Sequence, residues 1–165
     1  EMIEAKWLFD VDMDKIEVLI HRQSILHSAL QFIDNAVIAQ LGVPDMRVPI
    51  QYAMTYPKRM SVPENELDLF QYGSLTFEKP DTETFYAIRL ARIAGESNGT
   101  LATVFNGADE AAVELFLKER ISYLQITEAI EYAMEHHNNI ENPTLSDIYD
   151  ADREARELVY NKFCI

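Results

Sequence analysis

Apolar residues recur along this chain in two distinct rhythms, and the change between them divides the sequence. From Asp81 onward they return every three or four positions, the spacing of a helix with one buried face. Asp81 or Thr82 can cap a helix running to about Ala94 and ended by Gly95 and Gly99. Ala108, Ala111, Ala112, Leu115 and Phe116 mark a second helix over 106–120. Ile126, Ala129, Ile130 and Ala133 mark a third over 126–136, and Ile148, Ala151, Ala155, Leu158 and Val159 a fourth over 146–163. Four amphipathic helices joined by short loops predict a four-helix bundle over 81–165.

Upstream the rhythm is mixed. Ile3 and Trp7, four apart among good helix formers, predict a short helix at the start. No capping residue precedes it, the pattern expected of a piece cut from something longer. Ile16 to His21 is short and rich in β-branched residues and predicts a strand. The apolar runs Ile25–Ile33 and Val37–Leu41 flank Asp34-Asn35-Ala36 and predict a hairpin. Strict alternation then sets Ile25, His27, Ala29 and Gln31 on one face of the first arm. Gly42-Val43-Pro44-Asp45 breaks the second arm, with a short helix beyond it through Tyr56. Pro57, Pro63 and Pro80 bracket an extended stretch whose one strand-like piece is Leu75-Thr76-Phe77. The expected architecture is therefore α+β: a mainly antiparallel sheet segment with helices in 1–56, an extended linker in 57–80, and a helical bundle domain in 81–165.

Charge narrows the partners. The 28 acidic residues outnumber 14 basic ones, giving a net charge of -14. Such a chain has no source for the counterion release that drives binding to a phosphate backbone, which argues against nucleic acid and against anionic membrane surfaces. The 81–165 half is the more acidic, with 16 acids and 7 bases against 12 and 7 upstream. One cysteine, Cys164, excludes an intrachain disulfide and a cysteine-rich zinc site and suits a reducing cytoplasm. The acidic first twenty residues are unlike a secretory signal, and no run approaches the roughly 20 apolar residues a membrane span requires. Asn98-Gly99-Thr100 matches a glycosylation sequon and is read as a turn.

Few residues invite chemistry. Glu1 and Glu4, three apart on one helix, share a face and could offer oxygens to a hard divalent cation, although two carboxylates do not complete a site; favourable charge near a helix start also explains them and is the default. His21 and His27 could be ligands or acid–base groups, or hydrogen-bonded strand histidines. Met46 could touch a planar ligand through its sulfur or fill a gap. His136-His137, at a helix C-terminus, suits the helix dipole and is assigned no chemistry. No phosphate-cradling glycine loop or nucleophile elbow is present, so a cofactor-binding domain is not expected in this chain.

Two stretches, His21-Arg22-Gln23-Ser24-Ile25-Leu26-His27-Ser28 and Leu41-Gly42-Val43-Pro44-Asp45-Met46-Arg47-Val48-Pro49-Ile50, resemble the C-terminal part of the 1-deoxy-D-xylulose 5-phosphate reductoisomerase family. The likeness continues through Leu75-Thr76-Phe77-Glu78-Lys79-Pro80-Asp81 and Asn106-Gly107-Ala108-Asp109-Glu110-Ala111-Ala112-Val113, and so covers nearly the whole chain. Members of that family are NADPH- and metal-dependent homodimers of the non-mevalonate isoprenoid pathway. They convert a phosphosugar, 1-deoxy-D-xylulose 5-phosphate, into 2-C-methyl-D-erythritol 4-phosphate.

In the family a Lys-Gly-Leu-Glu run ends in a metal-binding glutamate that also meets substrate, directly before a stretch matched here by Ile3-Glu4-Ala5-Lys6-Trp7-Leu8-Phe9. The resemblance thus implies that Glu1 ligates magnesium or manganese and meets substrate, with Glu4 standing behind it. His27 falls on an active-site histidine, and Pro44 and Met46 on a turn near the nicotinamide. The remaining metal ligands, the phosphate-binding residues and the cofactor domain lie upstream in the family, so the chain alone is expected to be inactive. Arg22 stands where proline is common, Asn35 where glycine is usual, and Gly107 and Asp109 alter an Asn-Ala-Ala-Asn-Glu run. A reading from another class is a noncatalytic acidic helical module for protein interaction or dimerisation.

Overall fold

A computed structural model describes residues 1–62 and 66–163. Pro63 and Cys164 lie outside the described residues. The chain forms two compact units: residues 1–18 with everything from Pro80 onward, and residues 19–79. The opening helix packs with the helices of the C-terminal half.

In the first unit α1 (Met2–Phe9) and a 3-10 turn (Met13–Lys15) precede α4 (Ala87–Glu96), α5 (Leu101–Leu117), α6 (Tyr123–His136) and α7 (Leu145–Phe163). The last three pack on one another, and α4 packs on α1, α5 and α6. Their core is largely alanine: Ala108, Ala111 and Ala112 of α5, Ala129 and Ala133 of α6, and Ala151 and Ala155 of α7, with Leu90, Val104, Leu115, Ile130 and Val159 filling the spaces. Alanine is the best helix former and keeps facing helices close. At Gly107 even a methyl group is excluded, since an added Cβ would stand 2.8 Å from Asp152 Oδ1. Asp152 in turn accepts from Arg156, which also binds Glu110 across to α5. That guanidinium holds the Glu110 carboxyl below its ordinary range.

Helix ends differ from expectation where remote residues intervene. Asp81 organises a turn rather than starting a helix, accepting from Glu83 N, Thr84 N and Thr84 Oγ1, and α4 begins only at Ala87. Gly95 does not end α4; it lies within the helix, where a Cβ would collide with the Met13 side chain at 2.7 Å. α5 begins five residues earlier than expected because Asn139 Oδ1, from the loop after α6, accepts from Leu101 N at 3.0 Å. α6 opens on a Ser122–Gln125 capping box.

The second unit holds β1 (Leu26–Gln31), β2 (Val37–Leu41), α2 (Arg47–Thr55) and the one-turn α3 (Leu69–Tyr72). The two strands pair antiparallel as predicted. Asn35 adopts φ 66° in the turn, a conformation that asparagine tolerates where most residues do not. The predicted strand over 16–21 is absent: only Ile20 pairs, with Glu78, through hydrogen bonds of 3.0 and 2.9 Å. Its neighbours extend that contact with side chains. His21 Nδ1 donates to the Thr76 carbonyl, Gln23 Oε1 accepts from Thr76 N and Oγ1, and Arg22 grips Glu78 through two bonds. The stretch read as an extended linker thus carries no strand at 75–77 and includes a short helix capped by Asp68.

Candidate functional site

The residues singled out by sequence fall in both units. Glu1 is the N-cap residue of α1 and its carbonyl accepts from Ala5 N at 2.8 Å. The Glu1 side chain is fully exposed and that of Glu4 three-quarters exposed. The i,i+3 spacing sets the two carboxylates on one side of the helix. Among the described residues no group of three or more His, Cys, Asp or Glu side chains could enclose a metal ion; Glu1 and Glu4 stand as two exposed carboxylates.

In the second unit the structure brings His27 to the turn carrying Pro44 and Met46. The strand register shifts at His27: Leu26 pairs with Leu41 and Ser28 with Gln40, leaving His27 as the extra residue of a β-bulge. Simple alternation therefore fails there, because the bulge changes which side the imidazole faces. His27 Nε2 lies 3.0 Å from the Gly42 carbonyl, which can only accept, so Nε2 carries the proton. In the neutral ring Nδ1 is then a lone-pair acceptor, and the residue is exposed. Two positions past Gly42 comes Pro44, itself exposed. Asp45 accepts from Arg47 N at 2.8 Å and pairs with the Arg47 guanidinium, which starts α2 and leaves Met46 70% exposed. A histidine with a free ring nitrogen, a rigid proline turn and an accessible thioether face thus lie on one short stretch of fold.

Two polar groupings are not legible locally. His21 is stacked on Phe77, with ring centroids 4.9 Å apart, and among the described residues its buried Nε2 has no hydrogen-bond partner. His136 and His137 have different surroundings: His136 Nδ1 donates to Tyr132 O within its own helix, whereas His137 meets remote side chains. Its ring is buried between Glu154 Oε2 and Thr100 Oγ1, each at 2.7 Å. Those partners lie 17 and 37 residues away, so no local signal announces them.

Residues 41–158 match the model of the DXP reductoisomerase C-terminal domain. The chain belongs to this family. It is 54% identical over 164 residues to 1-deoxy-D-xylulose 5-phosphate reductoisomerase of Caldanaerobacter subterraneus subsp. tengcongensis, and 50% identical over 163 residues to that of Clostridium perfringens. These alignments take in 99% of the chain but only 43% and 42% of the relatives. The fold agrees as closely. The Zymomonas mobilis reductoisomerase in complex with NADPH superposes with a TM-score of 0.91 at 37% identity, over 98% of this chain and 43% of that one. A DOX-P reductoisomerase in complex with NADPH, fosmidomycin and magnesium also gives 0.91, at 34% identity, over 99% of this chain and 42% of the other.

Proposed function

We propose that this chain is the C-terminal part of an NADPH-dependent 1-deoxy-D-xylulose 5-phosphate reductoisomerase, and that it contributes Glu1, His27, Pro44 and Met46 to the active site. The observation that carries this reading is 54% identity across 99% of the chain. In family terms, residues 1–56 are the end of the catalytic domain, 57–80 the linker and 81–165 the helical bundle domain. The enzyme is read as a cytoplasmic homodimer whose subunits meet through the catalytic part.

The donor set suits the metal. Carboxylate oxygens are what magnesium or manganese prefers, and one or two protein carboxylates are a usual share for such ions. Glu1 would hold the cation directly, and Glu4, one turn on, would bear on the same ion from behind. When bound, the ion stabilises negative charge on the substrate's oxygens. Glu1 itself then orients the phosphosugar by fixing where those oxygens sit.

His27 acts through its free nitrogen. With Nε2–H committed to Gly42, the ring is held in one tautomer and Nδ1 accepts a hydrogen bond or a proton from a substrate hydroxyl. The bulge supports this by turning the ring out of the regular strand pattern. Pro44 and Met46 would cover one face of the nicotinamide, where the thioether suits contact with a planar ring.

The test is made in the enzyme that contains this chain with its upstream part. Glu1→Gln should raise the magnesium concentration needed for half-maximal activity by about 10–100-fold or more. His27→Gln should lower kcat by about 100-fold or more while leaving the magnesium requirement unchanged. If both variants keep the parent's kcat and metal dependence, the assignment of these residues is wrong.

A further inference from the structure

The sequence contains two Asn-Gly pairs, and the fold holds them in opposite circumstances. Asn106–Gly107 lies inside α5, where helical geometry commits the Gly107 amide to the carbonyl four residues back, and Gly107 is buried. Asn98–Gly99 lies in the turn between α4 and α5, with Asn98 exposed. Both of its residues have positive φ, 50° and 84°. Among the described residues neither the Gly99 amide nor Asn98 Nδ2 has a hydrogen-bond partner, while Asn98 Oδ1 accepts from Lys6 Nζ at 3.2 Å.

We propose that Asn98 is a site of spontaneous deamidation through Gly99, and that Asn106 is not. The Gly99 amide, once its proton is lost to solvent base, forms a bond to Cγ of Asn98; the Cγ–Nδ2 bond breaks and ammonia leaves. Water then opens the resulting five-membered imide at either carbonyl, leaving aspartate or isoaspartate at position 98. Nothing is oxidised or reduced. Three features favour the step here. Gly99 has no side chain to hinder its nitrogen. Its N–H need not break a hydrogen bond. The Lys6 ammonium draws electron density from the attacked carbonyl and stabilises the charge that develops on its oxygen.

The products differ in consequence. Aspartate adds one negative charge within reach of Lys6 and keeps the turn. Isoaspartate inserts a methylene into the main chain where there is no slack. Asn139 Nδ2 donates to the Asn98 carbonyl at 2.9 Å, and Gly99 lies so near Ile140 that an added Cβ would stand 2.2 Å from its carbonyl oxygen. The isoaspartyl form therefore loosens the junction that caps α5.

The experiment follows both pairs in one sample. The full-length folded enzyme is held at mildly alkaline pH and sampled over time, then digested at mildly acidic pH. Each Asn-Gly peptide is followed by mass, and isoaspartate by enzymatic methyl labelling. A parallel sample is held in denaturant. The expected result is steady loss of the unmodified Asn98 peptide with the Asn106 peptide intact in the folded protein, and conversion of both in denaturant. An Asn98→Gln variant should show no methyl labelling of the peptide that carries position 98 in the folded state. An intact Asn98 peptide in the folded protein, or an Asn106 peptide converting as fast, overturns the proposal.

Discussion

Ile25 is the one buried apolar side chain that the 19–79 unit contributes among the described residues, whereas the helical unit contributes a continuous set from Leu90 to Val159. Leu30, Ile33, Val37 and Ile38 of the hairpin region are all more than half exposed. One unit is held by close-packed helices. The other is held by a hairpin and by a polar clasp between residues 20–23 and 76–78. Exposed apolar surface on that scale is characteristic of a face that meets other protein, in keeping with a chain that spans less than half the length of its relatives. The contrast also tells where substitutions should be felt.

The largest effect is expected from Gly99→Ala. The substitution puts a side chain at φ 84° and drives its Cβ to 2.2 Å from the Ile140 oxygen. Thermal unfolding should show a loss of about 3–4 kcal/mol in the helical unit. Ile130→Ala, which empties a fully buried site, should cost about 3 kcal/mol. Ile38→Ala, at a residue 63% exposed, should cost less than about 0.5 kcal/mol in the 165-residue chain. Equal losses for the two isoleucines would break the comparison.

A smaller effect of opposite sign is expected at Asp109, whose carboxyl is pushed up by burial and by the neighbouring Glu110. A raised carboxyl binds its proton more tightly in the folded than in the unfolded state, so its contribution to stability falls as pH rises through that range. Asp109→Asn should therefore raise the melting temperature at neutral pH, with the gain vanishing in acid. The smallest effect belongs to Arg22→Ala. The Arg22–Glu78 pair is open to solvent, and Arg22 holds the Glu78 carboxyl below its ordinary range. A lowered carboxyl adds stability above its unfolded value and loses it as pH falls. Any loss in the variant should appear at neutral pH, disappear in acid and shrink with added salt.

Much of the helical unit is legible in the sequence because its information is local. The three- and four-residue spacing of alanines and leucines locates α6 and α7 within three residues and the body of α5. The features that escape such a reading depend on distant partners. Asn139 extends α5 from 38 residues away, and Gly95, within α4, faces the side chain of Met13, 82 positions upstream. The Ile16–His21 run has strand composition, yet its single pairing partner is Glu78. At the candidate site, motif likeness picks out Glu1, His27, Pro44 and Met46, but alternation cannot foresee the bulge that decides how His27 is presented. One inserted residue reverses parity for everything before it in the strand.

The missing side chain at Gly107 has a mechanical meaning beyond saving space. It makes a notch in α5 that receives the Asp152 carboxylate, and Arg156 ties that carboxylate to Glu110 one turn nearby. Two long helices lined with alanine are smooth cylinders that could slide past each other by a turn at little cost in buried area. A notch and a charged peg admit one axial setting, so the position of α7 along α5 is indexed by a single absent methyl group.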